Sequence, residues 1–410
     1  MRILYLNPCG QMGGAETSLH ELLAGIRNAE PDWDLWLVLG EDGPLAQRAR
    51  GLGVQVMVAP FPRGLARLGD AGQGPVLLLW PLLKAAAGTA LYRRRLGAIC
   101  RMIQPDIIHT NGFKMHLLGT WTRPAQTAVV WHIHDYVSAR PLMRRLLRWC
   151  RKHCTAVIAN SRSVAADLKA LLPGVRIVPI YNAVNFERFA PTGRRADLDA
   201  LSGLAPAAQG TIRVGLVATF ARWKGHAIFL EALSKLSAET PVRGYVIGGP
   251  IYQTGGSQWT MQELKDHSRR LGVAGKVGFT GFLDDAAEAI RSLDIVVHAS
   301  TQPEPFGMVI VEAMACAKPV IVSKAGGASE LFEEERTALG YPPGDATALA
   351  RQIERLASNV SLRAGLGEAA RTAAEQSFRP DRMACEAIRL YAECHGAKQK
   401  AAALMPSLNA

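Results

Sequence analysis

Residues Asp294–Phe332 read DIVVHASTQPEPFGMVIVEAMACAKPVIVSKAGGASELF. The apolar run Asp294–His298 fits a strand buried on both faces, as in a parallel sheet. It stops at a Ser-Thr-Gln-Pro-Glu-Pro-Phe-Gly loop, a helical pattern carrying Glu312 follows, and Pro319–Val322 forms a second apolar run. Strand, loop, helix and strand in that order make a βαβ unit. The Glu304-bearing loop therefore falls at the carboxyl end of a strand, where open α/β sheets hold their ligands.

The same rhythm extends in both directions. Toward the amino end, strands are expected at Ile3–Leu6, Leu35–Leu39, Val54–Val58, Asp106–His109, Ala128–His132, Ala156–Ala159 and Arg176–Pro179, with helices such as Ala15–Ala29 and Arg162–Leu172 between them. The pattern breaks at Asn182–Gly210, which is rich in Ala, Gly, Pro, Arg and Asp, and resumes with strands at Ile212–Val217, Gly244–Ile247, Lys276–Phe279 and onward. The expected architecture is α/β: a first doubly wound domain over 1–185, a linker over 186–210 and a second such domain over 211–379, with a ligand cleft between the domains. A flexible tail over 396–410 completes the reading. At 410 residues, each half is long enough to bury a core of its own.

Charge is unevenly spread. Residues 1–190 carry 23 basic and 12 acidic side chains, so nearly all of the chain's net +12 lies in that half. Such an asymmetry points to an anionic surface or substrate on that side. Its densest patch is Arg140–Lys152 (RPLMRRLLRWCRK), six cations and no acid interleaved with Leu142, Met143, Leu146, Leu147 and Trp149. At helical spacing this makes one basic and one apolar face, either a membrane-surface helix or a core-packing helix with a solvated basic side. Val76–Tyr92 is mostly apolar, but it is shorter than the about 20 residues a span requires and contains Pro81 and Lys84. A surface or buried helix is the expectation there. The chain shows no nucleic-acid-binding signature, and no nucleic-acid partner is expected.

The seven cysteines form no C-x-x-C pair, and Cys150 and Cys154 have no further ligand nearby, so reduced thiols and no zinc are expected. The opening Met1–Pro8 reads as a strand running into a loop, without the basic and long apolar regions of a secretory signal. A cytoplasmic setting, peripheral on the inner membrane face if the basic helix docks there, is the resulting expectation.

Candidate binding groups sit at the strand ends. Gly13-Gly14-Ala15-Glu16 opens a helix after the first strand, where adjacent glycines allow close approach and the helix amino end favours an anion. It is not G-x-G-x-x-G, and no G-x-x-x-x-G-K-[ST] occurs, so dehydrogenase and P-loop readings lose their main support. Arg222 and Lys224 lie just before Gly225 at a strand-to-helix junction, two cations suited to clamp a diphosphate or merely two solvated charges. Glu304 on its loop and Glu312 in the following helix can face one ligand from two directions, and the amides around Gly307 suit phosphate. His132 and His134 alternate on a strand and point the same way, with His134 read as a site histidine rather than a metal ligand. Asp32-Trp33-Asp34 and Asp197-Leu198-Asp199 resemble D-x-D metal motifs, but their positions suggest solvated acids.

These motifs, in this order, resemble the retaining GT-B glycosyltransferases of family 4. The hallmark E-x7-E is Glu304…Glu312 in EPFGMVIVE, accompanied by Lys224-Gly225, Gly248-Gly249-Pro250, Ala325-Gly326-Gly327…Glu330 and Pro343-Gly344-Asp345. The first half matches more sparsely, through Gly13-Gly14-Ala15-Glu16, His134-Asp135 and Asn160-Ser161. The resemblance implies two Rossmann-like domains, a last helix at about 380–395 crossing back onto the first of them, and transfer of a sugar from a nucleotide donor, a UDP- or GDP-sugar, with no bound metal or other cofactor. By the same resemblance, Glu304 would hold donor-sugar hydroxyls, Glu312 the ribose, and the backbone of Phe306, Gly307, Met308 and Val309 the sugar and phosphate. Lys224 would neutralise the leaving diphosphate, His134 would sit at the donor sugar, and Gly13 and Gly14 would shape a phosphate and acceptor loop. The usual family arginine falls at Thr219, so Arg222 would have to replace it or Lys224 act alone. A lipid-linked saccharide of envelope polysaccharide assembly is the natural acceptor for so basic a first half. The alternatives are a soluble-acceptor or epimerising enzyme of the same fold, and a non-catalytic sugar-nucleotide-binding module.

Overall fold

A computed structural model of the chain describes residues 1–61, 79–250 and 257–404. Two compact units emerge, Met1–Ala183 with Pro380–Ala410, and Val184–Arg379. Each contains one parallel sheet among the described residues.

In the first unit, β1 (Arg2–Asn7), β2 (Asp34–Leu39), β3 (Gln55–Val58), β4 (Ile107–Asn111), β5 (Ala128–Ile133), β6 (Ala156–Ala159) and β7 (Arg176–Pro179) lie in the order β3-β2-β1-β4-β5-β6-β7. Both faces of the sheet are covered. Tyr5, Leu37 and Ile107 belong to one apolar cluster, and Leu4, Val38 and Ile108 to another, because successive side chains of a strand alternate between faces. This is why the central strands read as unbroken apolar runs rather than alternating ones. The direction of winding reverses between β1 and β4, which places the switch point at Asn7 and Asn111.

The last helix, Pro380–Leu404, runs beyond the 380–395 expected of it and packs in the first unit against the helix Gly14–Ala29. Gly25 allows that approach, since a Cβ there would lie 2.7 Å from the Pro380 carbonyl. Tyr391 ties the same helix to β4 through its hydroxyl, 2.7 Å from His109 Nδ1. Of the expected tail, residues 405–410 lie outside the described residues.

The second unit has β8 (Ile212–Val217), β9 (Val242–Ile247), β10 (Val277–Gly281), β11 (Ile295–His298), β12 (Val320–Ser323) and β13 (Leu339–Tyr341) in the order β10-β9-β8-β11-β12-β13. Its switch point lies between β8 and β11. The loops that follow these two strands carry Thr219 to Lys224 and Ser300 to Glu304. β13 is absent from the sequence reading because three residues are too few to show a period.

The stretch read as a linker is part of this second unit, and Asp199 is not the solvated acid expected. It is 5% exposed, accepts from Arg243 Nη1 and the Tyr245 hydroxyl at 2.6 Å each, and pins the short helix Leu198–Leu201 to β9. Burial works to raise its carboxyl, but those hydrogen bonds outweigh it and hold the group low.

The basic segment forms the helix Pro141–Cys150. Leu147 and Cys150 face inward, whereas Leu142 and Trp149, seven residues apart and so on one face, are 61% and 68% exposed. Arg144, Arg145 and Arg148 are exposed beside them, and the Trp149 ring lies 6.2 Å from that of Trp121 on the neighbouring helix Phe113–Thr122. The segment Val76–Tyr92 begins outside the described residues. Among those described, no helix is long and apolar enough to cross a membrane.

Candidate active site

In the second unit the site is assembled on the two switch-point loops. Glu304 is held through its backbone first. Its N–H donates to the Ala325 carbonyl and its own carbonyl accepts from Gly327 N–H, a bridge that clamps the loop beside the segment after β12. The carboxylate, 8% exposed, then takes three partners on Oε2: Lys224 Nζ at 2.7 Å, Ser300 Oγ at 2.7 Å and His298 Nε2 at 3.3 Å. Burial alone would push this carboxyl up. The Lys224 charge and the His298 contact reverse that and hold it well below the usual carboxylate range.

Lys224 reaches Glu304 because the β8 loop is pressed against the β11 loop. Thr301 N–H donates to the Trp223 carbonyl at 2.7 Å. Gly225 has φ of 78°, and a Cβ there would lie 1.8 Å from the Ala299 carbonyl oxygen, so only glycine fits. The Lys224 ammonium also lies 4.0 Å from the centre of the Trp223 ring.

Arg222 is not brought to this group. Its guanidinium lies 3.9 Å over the Trp259 ring, and Nη2 meets Glu263 at 2.8 Å in the capping box that starts the helix Met261–Arg270. Thr219, at the expected arginine position, is half-buried on the loop after β8. Lys224 is thus the cation that meets Glu304.

Gly307, at φ 104°, turns the chain into the helix Met308–Ala315, whose first amides open at this loop. Phe306 is buried and packs edge-on against Phe378, so its side chain belongs to the core and only its backbone remains for a ligand. Met308 and Val309 are half-buried in the first turn. Glu312 lies one turn further along, where burial lifts its carboxyl to about 7 against the pull of Arg188.

The first unit carries its own group at its own switch point. A recess of ≈ 370 Å³, open mouth included, is lined by Asn7, Glu16, Phe113, His116, His134 and Asp135 among others. His134 follows β5 directly and contacts Asn111 Oδ1 through Nε2 at 3.3 Å. Burial pushes its imidazole down to about 4, so the ring is neutral at pH 7. His132, on the same side of the strand as expected, lies 4.0 Å away ring to ring, and His109 lies 5.2 Å beyond. Gly13 and Gly14 begin the helix Gly14–Ala29, and Glu16 sits in its first turn. Among the described residues, no three His, Cys, Asp or Glu side chains are placed to share a metal ion.

Sequence reasoning missed His298 and Ser300, although their i, i+2 spacing at a strand end places both on the side where Glu304 returns. Glu16 was visible as a motif member but not as a lining residue.

The comparisons with known proteins bear on both units. The Glycosyltransferase Family 4 model matches residues 12–188, and the Glycosyl transferases group 1 model matches residues 206–373. D-inositol 3-phosphate glycosyltransferase 2 of Catenulispora acidiphila is 33% identical over 48% of this chain and 48% of that protein. The lipopolysaccharide core biosynthesis mannosyltransferase LpsB of Rhizobium meliloti is 28% identical over 57% of this chain and 70% of that protein. The crystal structure of Anabaena Alr3699/HepE in complex with UDP-glucose superposes with a TM-score of 0.76 at 26% identity, over 96% of this chain and 100% of that one. The chain spans about half the length of several of the curated relatives it matches.

Proposed function

We propose, from the premise that the chain belongs to the GT-B glycosyltransferases, that it moves a sugar from a nucleoside diphosphate donor to a hydroxyl acceptor with retention at the anomeric carbon. The observation that carries this reading is the pairing of half-buried Lys224 with buried Glu304 beside the amino end of Met308–Ala315.

The chemistry follows from charge. As the bond between the anomeric carbon and the diphosphate oxygen breaks, negative charge gathers on the leaving group and positive charge on the sugar. The acceptor oxygen bonds to the same carbon from the same face, and its proton passes to the departing phosphate oxygen. Lys224 and the amides after Gly307 are fixed in place before that charge develops, which is where electrostatic catalysis is most effective. Glu304, kept ionised, accepts sugar hydroxyls, while Ser300 and His298 position it. His134, neutral and half-buried, is the first unit's group for a sugar hydroxyl.

Glu312 is assigned to the ribose hydroxyls. Its folded carboxyl titrates near 7, so the accepting carboxylate is fully present only above that pH. Nucleotide affinity is expected to strengthen as pH rises from 6 to 8, and titration calorimetry with UDP checks this. Glu312→Gln should remove the pH dependence. A wild-type affinity flat across the range would count against the assignment.

The acceptor is assigned to the class of lipid-linked saccharides, presented at an anionic membrane surface by the helix Pro141–Cys150. Exposed Leu142 and Trp149 supply insertion, and the arginines supply attraction worth about 1 kcal/mol each near such a surface. Replacing Arg144, Arg145 and Arg148 by Gln is expected to weaken binding to anionic liposomes roughly 100-fold. Undiminished binding in a sedimentation assay would contradict the assignment. A Glu304→Ala protein that still released nucleotide would sink the catalytic reading itself.

A further inference from the structure

One face of the first sheet turns polar toward the carboxyl ends of its strands. Tyr5 and Asn7 on β1, and His109 and Asn111 on β4, stand two residues apart, as do His132 on β5 and His134 just after it. Each pair therefore points to one side. Register sets Tyr5 beside His109 and Asn111 beside His132, so the three strands turn these side chains to a common face. Ile3, Ile107 and Val130, two residues earlier on that face, belong to the apolar cluster that the helices Gly14–Ala29 and Pro380–Leu404 also fill.

Within this layer four rings follow one another. The Tyr391 hydroxyl of the last helix lies 2.7 Å from His109 Nδ1. His109 meets His132 edge to face at 5.2 Å and 87°, and His132 lies 4.0 Å from His134 with the ring planes 36° apart. His109 Nε2 and both ring nitrogens of His132 are buried without a hydrogen-bond partner among the described residues. Buried atoms of that kind cost stability, so His132 is not kept for its hydrogen bonds. Its faces are what it offers. His134 needs them. Its Nε2–H donates to Asn111 Oδ1 at 3.3 Å, beyond the roughly 2.7–3.2 Å of an ordinary N–H···O bond, and its Nδ1 has no partner among the described residues. One long hydrogen bond leaves an imidazole free to swing about χ2. The ring of His132 restricts that swing, His109 restricts His132, and Tyr391 ties down His109.

We infer that Tyr391, His109 and His132 are positioning residues that hold the His134 imidazole in one orientation for the transfer step. The inference rests on the transferase reading above and deepens it. The last helix becomes part of the site's support, and a buried histidine that costs stability is kept for the ring it aligns.

The test uses the full chain and two readouts. Nucleotide release is measured from UDP-glucose, or from whichever sugar nucleotide of a UDP-, GDP- and ADP-sugar panel turns over. Tyr391→Phe and His132→Leu are each expected to lower kcat about tenfold with the donor KM unchanged, because a misplaced group costs rate rather than donor binding. His132→Phe, which keeps a ring against His134, should recover most of that loss. His132→Leu should lose rate while its melting temperature holds or rises, a combination that a merely structural role does not give. In a His134→Ala background neither Tyr391→Phe nor His132→Leu should have a further effect. Losses that persist there at full size, or that track a fall in melting temperature, overturn the proposal. Imidazole 15N NMR on the same proteins requires no turnover. Tyr391→Phe is expected to replace the single Nε2–H pattern of His134 with a mixture of tautomers, and an unchanged His134 signal likewise overturns the proposal. A wild type that releases no nucleotide from any donor fails the transferase reading instead, and the NMR result still decides whether His134 is held from Tyr391.

Discussion

Replacing Lys224 by methionine is expected to lower the rate of donor cleavage about 10²–10³-fold, the usual consequence of removing one preorganised stabiliser of developing charge. The loss should be large because Arg222, the other cation of this loop, is engaged with Trp259 and Glu263. A second signature distinguishes this from simple misfolding. Without Lys224 the buried Glu304 loses the largest influence holding its carboxyl down, and burial then raises it toward neutrality. The residual rate of Lys224→Met should therefore climb with pH over a range where wild type is flat, and Lys224→Arg should restore part of it. Glu304→Gln combined with Lys224→Met should cost far less than the sum of the two, since the residues act as one unit. Initial rates across pH for the three variants decide it. A flat profile with strictly additive losses would mean that the pair is not coupled in function.

The second large effect is acid sensitivity confined to the first unit. His109, His116 and His132 are fully buried and His134 half-buried, and desolvation pushes all four imidazoles down, His134 to about 4 and His109 to about 3. Their charged neighbours in the cluster are one another, which adds to the cost of protonation. In the unfolded chain the same rings titrate near 6.5. The unfolded state therefore binds more protons between about pH 4 and 6.5, and stability is lost as pH falls through that window. At pH 5 each such ring costs about 2 kcal/mol, so two of them remove about 4 kcal/mol from a domain stability of about 5–15 kcal/mol. In the second unit His226 is lowered to about 4, and Glu304 loses stabilisation only below the ordinary glutamate range. Hydrogen exchange followed by mass spectrometry at pH 7.5 and 5 should show β4 and β5 losing protection well before β8 and β11. His132 has neither ring nitrogen partnered among the described residues, so His132→Leu should shift the acid transition to lower pH. Equal loss of protection in both units would contradict the explanation.

Most strands were legible because a doubly covered parallel sheet writes itself as short apolar runs, and Ile3–Leu6 or Ala156–Ala159 have no other reading. Leu339–Tyr341 escaped because it is too short to carry a period. Residues 186–210 looked like a linker because they lack one, yet Asp199 anchors them by ion pairs whose partners, Arg213 and Arg243, lie on two different strands. Nothing local announces such a contact. The site divides the same way. Glu304, Lys224 and Glu312 were visible from motif spacing, whereas the turning of Arg222 toward Trp259 depends on a packing partner 37 residues on. Glu16 was legible as a motif member but not as a wall of the recess, because that depends on where Phe113 and His134, about a hundred residues on, come to lie.

The central claim is that Glu304 and Lys224 act on a nucleotide-sugar donor. Its most direct test is nucleotide release by purified protein from a panel of UDP-, GDP- and ADP-sugars, with and without a membrane lipid extract, beside Glu304→Ala. The account predicts release from one donor, stimulated by the lipid extract and abolished by the substitution. Nucleotide binding without release under every condition, or release that survives Glu304→Ala, would contradict it.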